Sequence, residues 1–161
     1  AAGFCSTMQL IGNTVYLLLR HPDQLDMVRA DPAAAGGAVE ETLRFEPPVM
    51  SWPRSVLEPV SFGGHDVPVG WAVISVIGSA NRDDAVFDRP ASFDITRPAP
   101  RHLTFGGAVH HCLGAPLARM EAELAVRTIV TRFPDLRLAV PAVEWLDNFN
   151  IRGLKELPVA V

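Results

Sequence analysis

The stretch FGGAVHHCLGAPLAR, Phe105 to Arg119, packs three glycines, two histidines and one of the chain's two cysteines into fifteen residues directly ahead of a helical pattern. Leu117, Met120, Leu124, Thr128 and Ile129 continue that pattern at helical spacing until Phe133-Pro134, which places Cys112 just before a helix whose first turn holds Pro116. Backbone N–H groups at a helix start lack intrahelical acceptors, and together with the helix dipole they stabilise a thiolate able to ligate a metal. Gly106, Gly107 and Gly114 allow the backbone to turn tightly and to pass close to a flat cofactor, while Phe105 can cover the sulfur. Taken alone, Cys112 reads first as a small buried hydrophobe beside a helix cap. His110, His111 and Cys112 also suggest a zinc or iron module, although adjacent residues seldom converge on one tetrahedral ion and no second pair stands at zinc-site spacing.

Working outward, 161 residues with 48% hydrophobic and 20% charged content suit one domain with a modest core. Fourteen Lys and Arg against eighteen Asp and Glu give a net charge of −4 with no basic run, which argues against nucleic acid or an anionic membrane as a partner. Cys5 and Cys112 do not make a disulfide framework, so a reducing, cytoplasmic compartment fits. The apolar start, AAGFCSTMQLIGNTVYLLLR, lacks the charged region of a signal peptide and is broken by Gln9, Gly12 and Asn13 before it reaches membrane-spanning length. Beginning inside a helical pattern with no initiator Met, the chain reads as part of a longer protein.

Met8, Ile11, Val15, Leu18 and Leu19 mark a first helix that stops near Arg20-His21, ahead of Pro22. A second helix covers PDQLDMVRA, and a third runs from about Ala34 until Pro47-Pro48. Arg54–Leu57, Val60–Phe62, His65–Val67 and Trp71–Ile77 follow as a series of hairpins. Residues 81–101, with Pro90, Pro98 and Pro100, form a long irregular connection, and short β pieces close the chain after the last long helix.

Phe105-Gly106-x-x-x-His110-x-Cys112-x-Gly114 resembles the haem-binding signature of the cytochrome P-450 family, with Ala108 in place of the second fixed glycine. If Ala108 takes positive φ, its Cβ costs on the order of 1 kcal/mol. Glu41-Thr42-Leu43-Arg44 resembles the family's E-x-x-R pair, which lies buried beneath the haem; the arginine that often joins it is replaced by Ser92, with Arg89 as the candidate substitute. The motifs fall in the family's order, and Asn81-Arg82-Asp83 and His102-Leu103-Thr104 add to them.

The resemblance implies a mainly α fold with a small β region, residues 1–161 forming the C-terminal haem-binding part of a single cytochrome P-450 domain. It implies haem b as cofactor, Cys112 as axial thiolate, Phe105, Gly106, His110 and Gly114 around it, and Arg54, His102 and His110 at the propionates. Ala2, Gly3, Val49, Met50 and Ile151 correspond to the substrate pocket. Ala2-Gly3-Phe4-Cys5-Ser6-Thr7 is similar to the segment of the distal helix where an acid and a threonine steer protons; here Cys5 takes the acid's place and Ser6 the threonine's. The implied reaction is insertion of one oxygen atom of O2 into a small apolar organic substrate, with electrons from a ferredoxin and its reductase or a similar donor. A haem-binding remnant without turnover is the alternative.

Overall fold

The computed structural model describes residues 3–98 and 101–161. Four helices carry most of it: α1 (Cys5–Arg20), α2 (Pro22–Ala30), α3 (Ala35–Phe45) and α5 (Ala115–Arg132), with a short α4 (Ile77–Ala80) between. Proline sets several of their boundaries. Pro22 and Pro116 occupy first turns, where the missing N–H has no acceptor to lose, and Pro47 and Pro134 follow the ends of α3 and α5. α1, α3 and α5 each pack against the other two. Leu10, Leu18, Val39, Leu43 and Val126 are buried between them, and Ala35, Ala38 and Ala122 let the backbones approach closely.

The β region differs from a serial run of hairpins: β1 (Ser51–Ser55) pairs with β4 (Ala72–Val76), and β2 (Val60–Phe62) pairs with β3 (His65–Val67) inside that loop. Gly63 and Gly64, at φ +55° and +82°, supply the two left-handed residues of a tight turn between β2 and β3. β1 begins earlier than its β-prone residues suggest and includes Pro53, which a two-stranded ribbon tolerates because one edge needs no donor. Ile77, expected at the end of a strand, instead opens α4. β5 (Arg137–Leu138) and β6 (Val159–Ala160) close the chain as an antiparallel pair.

The irregular connection is held by side chains rather than by a ladder. Gln24 binds it in both directions, donating to the Phe93 carbonyl at 2.7 Å and accepting from the Ile95 N–H at 2.9 Å. Gly37 on α3 lies directly against the Ile95 carbonyl, where any Cβ would collide. No helix among the described residues is long and apolar enough to cross a membrane.

Candidate haem-thiolate site

A cleft of about 330 Å³ opens between the start of α1 and the loop that carries Cys112. Cys5 and Ser6 line it from α1, Val49 and Ile151 from the side, and Phe105 and Cys112 from the loop. The structure therefore brings together the Cys112 sulfur, Cys5, Ser6, and two of the residues expected at the substrate pocket, Val49 and Ile151. Gly3 lines it too, whereas Ala2 lies outside the described residues.

The loop is built around a hydrogen bond from the Cys112 N–H to the Phe105 carbonyl at 2.8 Å. Gly106 stands at φ +72°, and a Cβ there would come within 3.0 Å of the His110 carbonyl oxygen, so the tight turn needs glycine. Ala108 does adopt positive φ, +50°, and carries the expected strain. Gly107 and Gly114 differ from expectation, with φ −156° and −82°, values open to any residue. At Gly114 the constraint is space: a Cβ would sit 3.9 Å from the Cys112 sulfur, in van der Waals contact with it.

The loop's entry is fixed from behind. Asn81, fully buried, donates to the Thr104 Oγ1 at 2.9 Å and to the Leu43 carbonyl of α3 at 3.3 Å, and accepts from the Leu103 N–H at 2.8 Å, tying the segment before Phe105 to the end of α3. On α3 itself, Arg44 and Glu41 form a bidentate pair, with side chains 0% and 1% exposed. The five N–H groups of Arg44 all find acceptors, two on Glu41 and the others on the carbonyls of Asn81, Pro90 and Ser92. A buried charge is tolerated on such terms.

The third partner is Arg97, which approaches Glu41 Oε2 at 3.3 Å. Arg89, the candidate substitute, is two-thirds exposed and pairs with Asp88 and Asp94 instead. Position 92 contributes its carbonyl, which leaves Ser92 free to be small.

His102 faces α3 in this structure. Its Nδ1 accepts from the Thr104 N–H at 3.3 Å, and its Nε2 faces Glu40 Oε2 at 3.3 Å, so both ring nitrogens are engaged. Arg119 completes this cluster, with Nε 2.6 Å from Glu40 Oε1 and Nη2 3.2 Å from Oε2. Burial alone would raise the Glu40 carboxyl, but the hydrogen bonds from His102 and Arg119 outweigh it and lower the pKa to about 2.

Arg54 lies on β1 two residues after Trp52, which lines the cleft, so both belong to the same face of the strand. His110 sits exposed in the turn ahead of Cys112. Val49 and Ile151 face each other in an antiparallel bridge, flanked by Met50 N–H to Asn150 carbonyl and Arg152 N–H to Pro48 carbonyl, both 2.9 Å. Met50 departs from expectation: by strand alternation it points the other way from Val49, and its thioether packs on Gly78. Thr7, Leu10, Trp52 and Thr104 also line the cleft and were not anticipated, although Thr7 and Leu10 stand at helical spacing from Gly3 and could have been found by it.

A largely apolar cleft with the Cys112 sulfur on its loop side, Cys5 and Ser6 across from it on α1, and Arg54 on the same strand face as the cleft-lining Trp52 fits an apolar macrocycle that carries carboxylates. Among the described residues no three His, Cys, Asp or Glu side chains converge as a metal site, so the zinc reading finds no ligand set there.

The chain is 48% identical to the cytochrome P450 monooxygenase PikC of Streptomyces venezuelae over 161 residues, 98% of this chain and 39% of that protein. It is 45% identical to 6-deoxyerythronolide B hydroxylase of Saccharopolyspora erythraea, over 98% of this chain and 40% of that one. It superposes with TM-score 0.95 on the cytochrome P450 enzyme CxnD of chuangxinmycin biosynthesis, at 43% identity, covering 98% of this chain and 40% of CxnD. The chain thus spans about 40% of the length of the relatives it matches. With the Cytochrome P450 family model matching residues 35–139, from the start of α3 through the Cys112 loop and past α5, this chain belongs to the cytochrome P450 family.

Proposed function

We propose that the chain forms the haem-thiolate half-site of a monooxygenase that inserts one oxygen atom of O2 into a small apolar substrate. The observation that carries this reading is the opening of Cys112 and the α1 residues Cys5 and Ser6 onto one largely apolar cleft. Haem b, when bound there, supplies oxygen activation, and a thiolate ligand favours O–O cleavage.

The chain's own residues position and exclude. Phe105 and the Gly106 turn hold the Cys112 backbone, Arg54 offers a guanidinium to a propionate from the β1 face, and Val49 with Ile151 presents an apolar wall to the substrate. Ser6 offers a hydroxyl that donates or accepts a hydrogen bond, while Cys5 has no carboxylate with which to relay a proton. Electrons come from a ferredoxin and its reductase or a similar donor. The structure of the related P450BioI with an acyl carrier protein that bears hexadec-9Z-enoic acid is one example of what a relative binds.

Cys5 favours a second reading, a haem-binding protein without productive turnover. The test is the reduced, carbon monoxide-bound spectrum of the haem protein, which should carry the red-shifted Soret band of thiolate ligation. Cys112→Ser should abolish that band and Cys5→Ala should leave it; an unchanged Cys112→Ser spectrum sinks the assignment. Consumption of reductant without any oxygenated product would select the second reading.

A further inference from the structure

Arg119 lies on the first turns of α5, behind the Cys112 loop, and its guanidinium does two things at once. Its edge forms a fork on Glu40, with contacts of 2.6 and 3.2 Å, and its face lies 4.5 Å from the centroid of the Phe105 ring. Glu40 is on α3, immediately before the buried Glu41, so the fork is anchored to the most firmly held part of the fold. His102, whose Nε2 faces the other side of the same carboxylate, stands with its ring 5.9 Å from Phe105, and His111 flanks Phe105 at 6.4 Å. Phe105 itself gives its carbonyl to the Cys112 N–H and shares the cleft wall with the sulfur.

From this arrangement we propose that Arg119 is a positioning residue for the Cys112 ligand, acting through the Phe105 ring, which it clamps against the loop so that the exposed sulfur keeps its place. The proposal rests on the haem-thiolate reading of the site. Planarity is central to it: only a guanidinium can grip a carboxylate at two points and stack on a ring with the same plate, whereas an ammonium is a point charge without a face. Arg119 and Glu40 are each about one-third exposed, and ion pairs of that kind contribute little to global stability. Losing Arg119 should therefore disturb the thiolate more than the fold.

The test compares Arg119→Lys and Arg119→Gln in the haem-loaded protein, with haem content and circular dichroism recorded alongside. Both variants should keep the fold and show a several-fold larger share of reduced, carbon monoxide-bound protein without the red-shifted band. Rescue by lysine would mean that charge suffices, and would overturn the proposal, as would a parental spectrum in both. Glu40→Gln, which frees the fork from its anchor, should shift the spectrum in the same direction, and decides the matter if the Arg119 variants fail to take up haem.

A second readout needs no haem. In the apoprotein both cysteines are exposed, so the rate of Cys112 alkylation by iodoacetamide relative to that of Cys5 on α1 reads how firmly the loop holds the sulfur; it should change several-fold in both Arg119 variants, and an unchanged ratio counts against the clamp. If the haem-thiolate reading itself were wrong, the parent would lack the band whatever the labelling ratio did, so the two failures are distinguishable.

Discussion

Arg44 and Arg97 converge on a single buried carboxylate, Glu41, one from its own helix and the other from the irregular connection. Removing the carboxylate leaves the fully buried Arg44 guanidinium, and the nearly buried one of Arg97, without their counter-charge. Breaking a buried pair in this way typically costs ~3–5 kcal/mol, against a total stability of ~5–15 kcal/mol for a domain. Glu41→Ala should fail to give soluble haem protein, and normal expression with full haem uptake would show the pair to be dispensable.

The two arginines considered for the third position separate cleanly. Arg97→Ala removes hydrogen bonds to Glu41 and to the Asp88 carbonyl and should lower the thermal midpoint clearly. Arg89→Ala loses only contacts of a largely exposed guanidinium, to the exposed Asp88 and the half-buried Asp94, and should change stability by less than ~0.5 kcal/mol. Equal midpoints for the two variants would contradict the assignment of Arg97.

Ala108→Gly relieves a left-handed backbone, though part of that gain is lost to the greater freedom of glycine in the unfolded chain. A net stabilisation of up to ~1 kcal/mol is expected, with the spectrum unchanged. A lower midpoint by thermal unfolding would mean that the alanine methyl makes a contact worth more than the strain.

Glu40 contributes a pH dependence of known sign. Its carboxyl ionises near 2 in the folded protein against 4.5 unperturbed, so its contribution is present above 4.5 and is lost as the pH falls from there towards 2. Glu40→Gln should flatten the acid side of the stability profile over that window. A profile with the parental slope would show that the carboxylate gains nothing from its partners.

Cys5 and Ser6 predict poor coupling in a chain of the relatives' full length, with much of the reductant diverted to hydrogen peroxide. Cys5→Asp with Ser6→Thr should raise product formed per reductant consumed, since a positioned general acid is typically worth ~10²–10⁴-fold in a proton-transfer step. A parent that is already tightly coupled would refute this account of α1.

The long helices were legible because proline and helical periodicity are local signals, and the loop around Cys112 was legible because its glycines and cysteine stand at fixed spacing. Pairing across distance was not. The nesting of β2–β3 inside β1–β4 depends on which strand meets which, and β propensity carries no such information. Arg97 was missed for a related reason: its reach to Glu41 depends on the path of a segment without regular structure. Met50 was within reach of sequence reasoning, since alternation already separates it from Val49. The Glu40 partner of His102 was not, because the two meet only once α3 is packed behind the loop.

The nested ribbon also sets an order of assembly. Phe62 and His65 are joined by only Gly63-Gly64, so the inner pair closes a very small loop, on the microsecond scale of hairpin formation (~1–10 μs). Once it has formed, Ser55 and Ala72 have far less free chain to bring together, and the entropic cost of closing the outer pair falls. β1 and β4 then zip from that end towards Ser51 and Val76. Lengthening the Glu58-Pro59 or Pro68–Gly70 connectors should slow this step only logarithmically, whereas stiffening the Gly63-Gly64 turn into a shape it cannot adopt should stall it at the start.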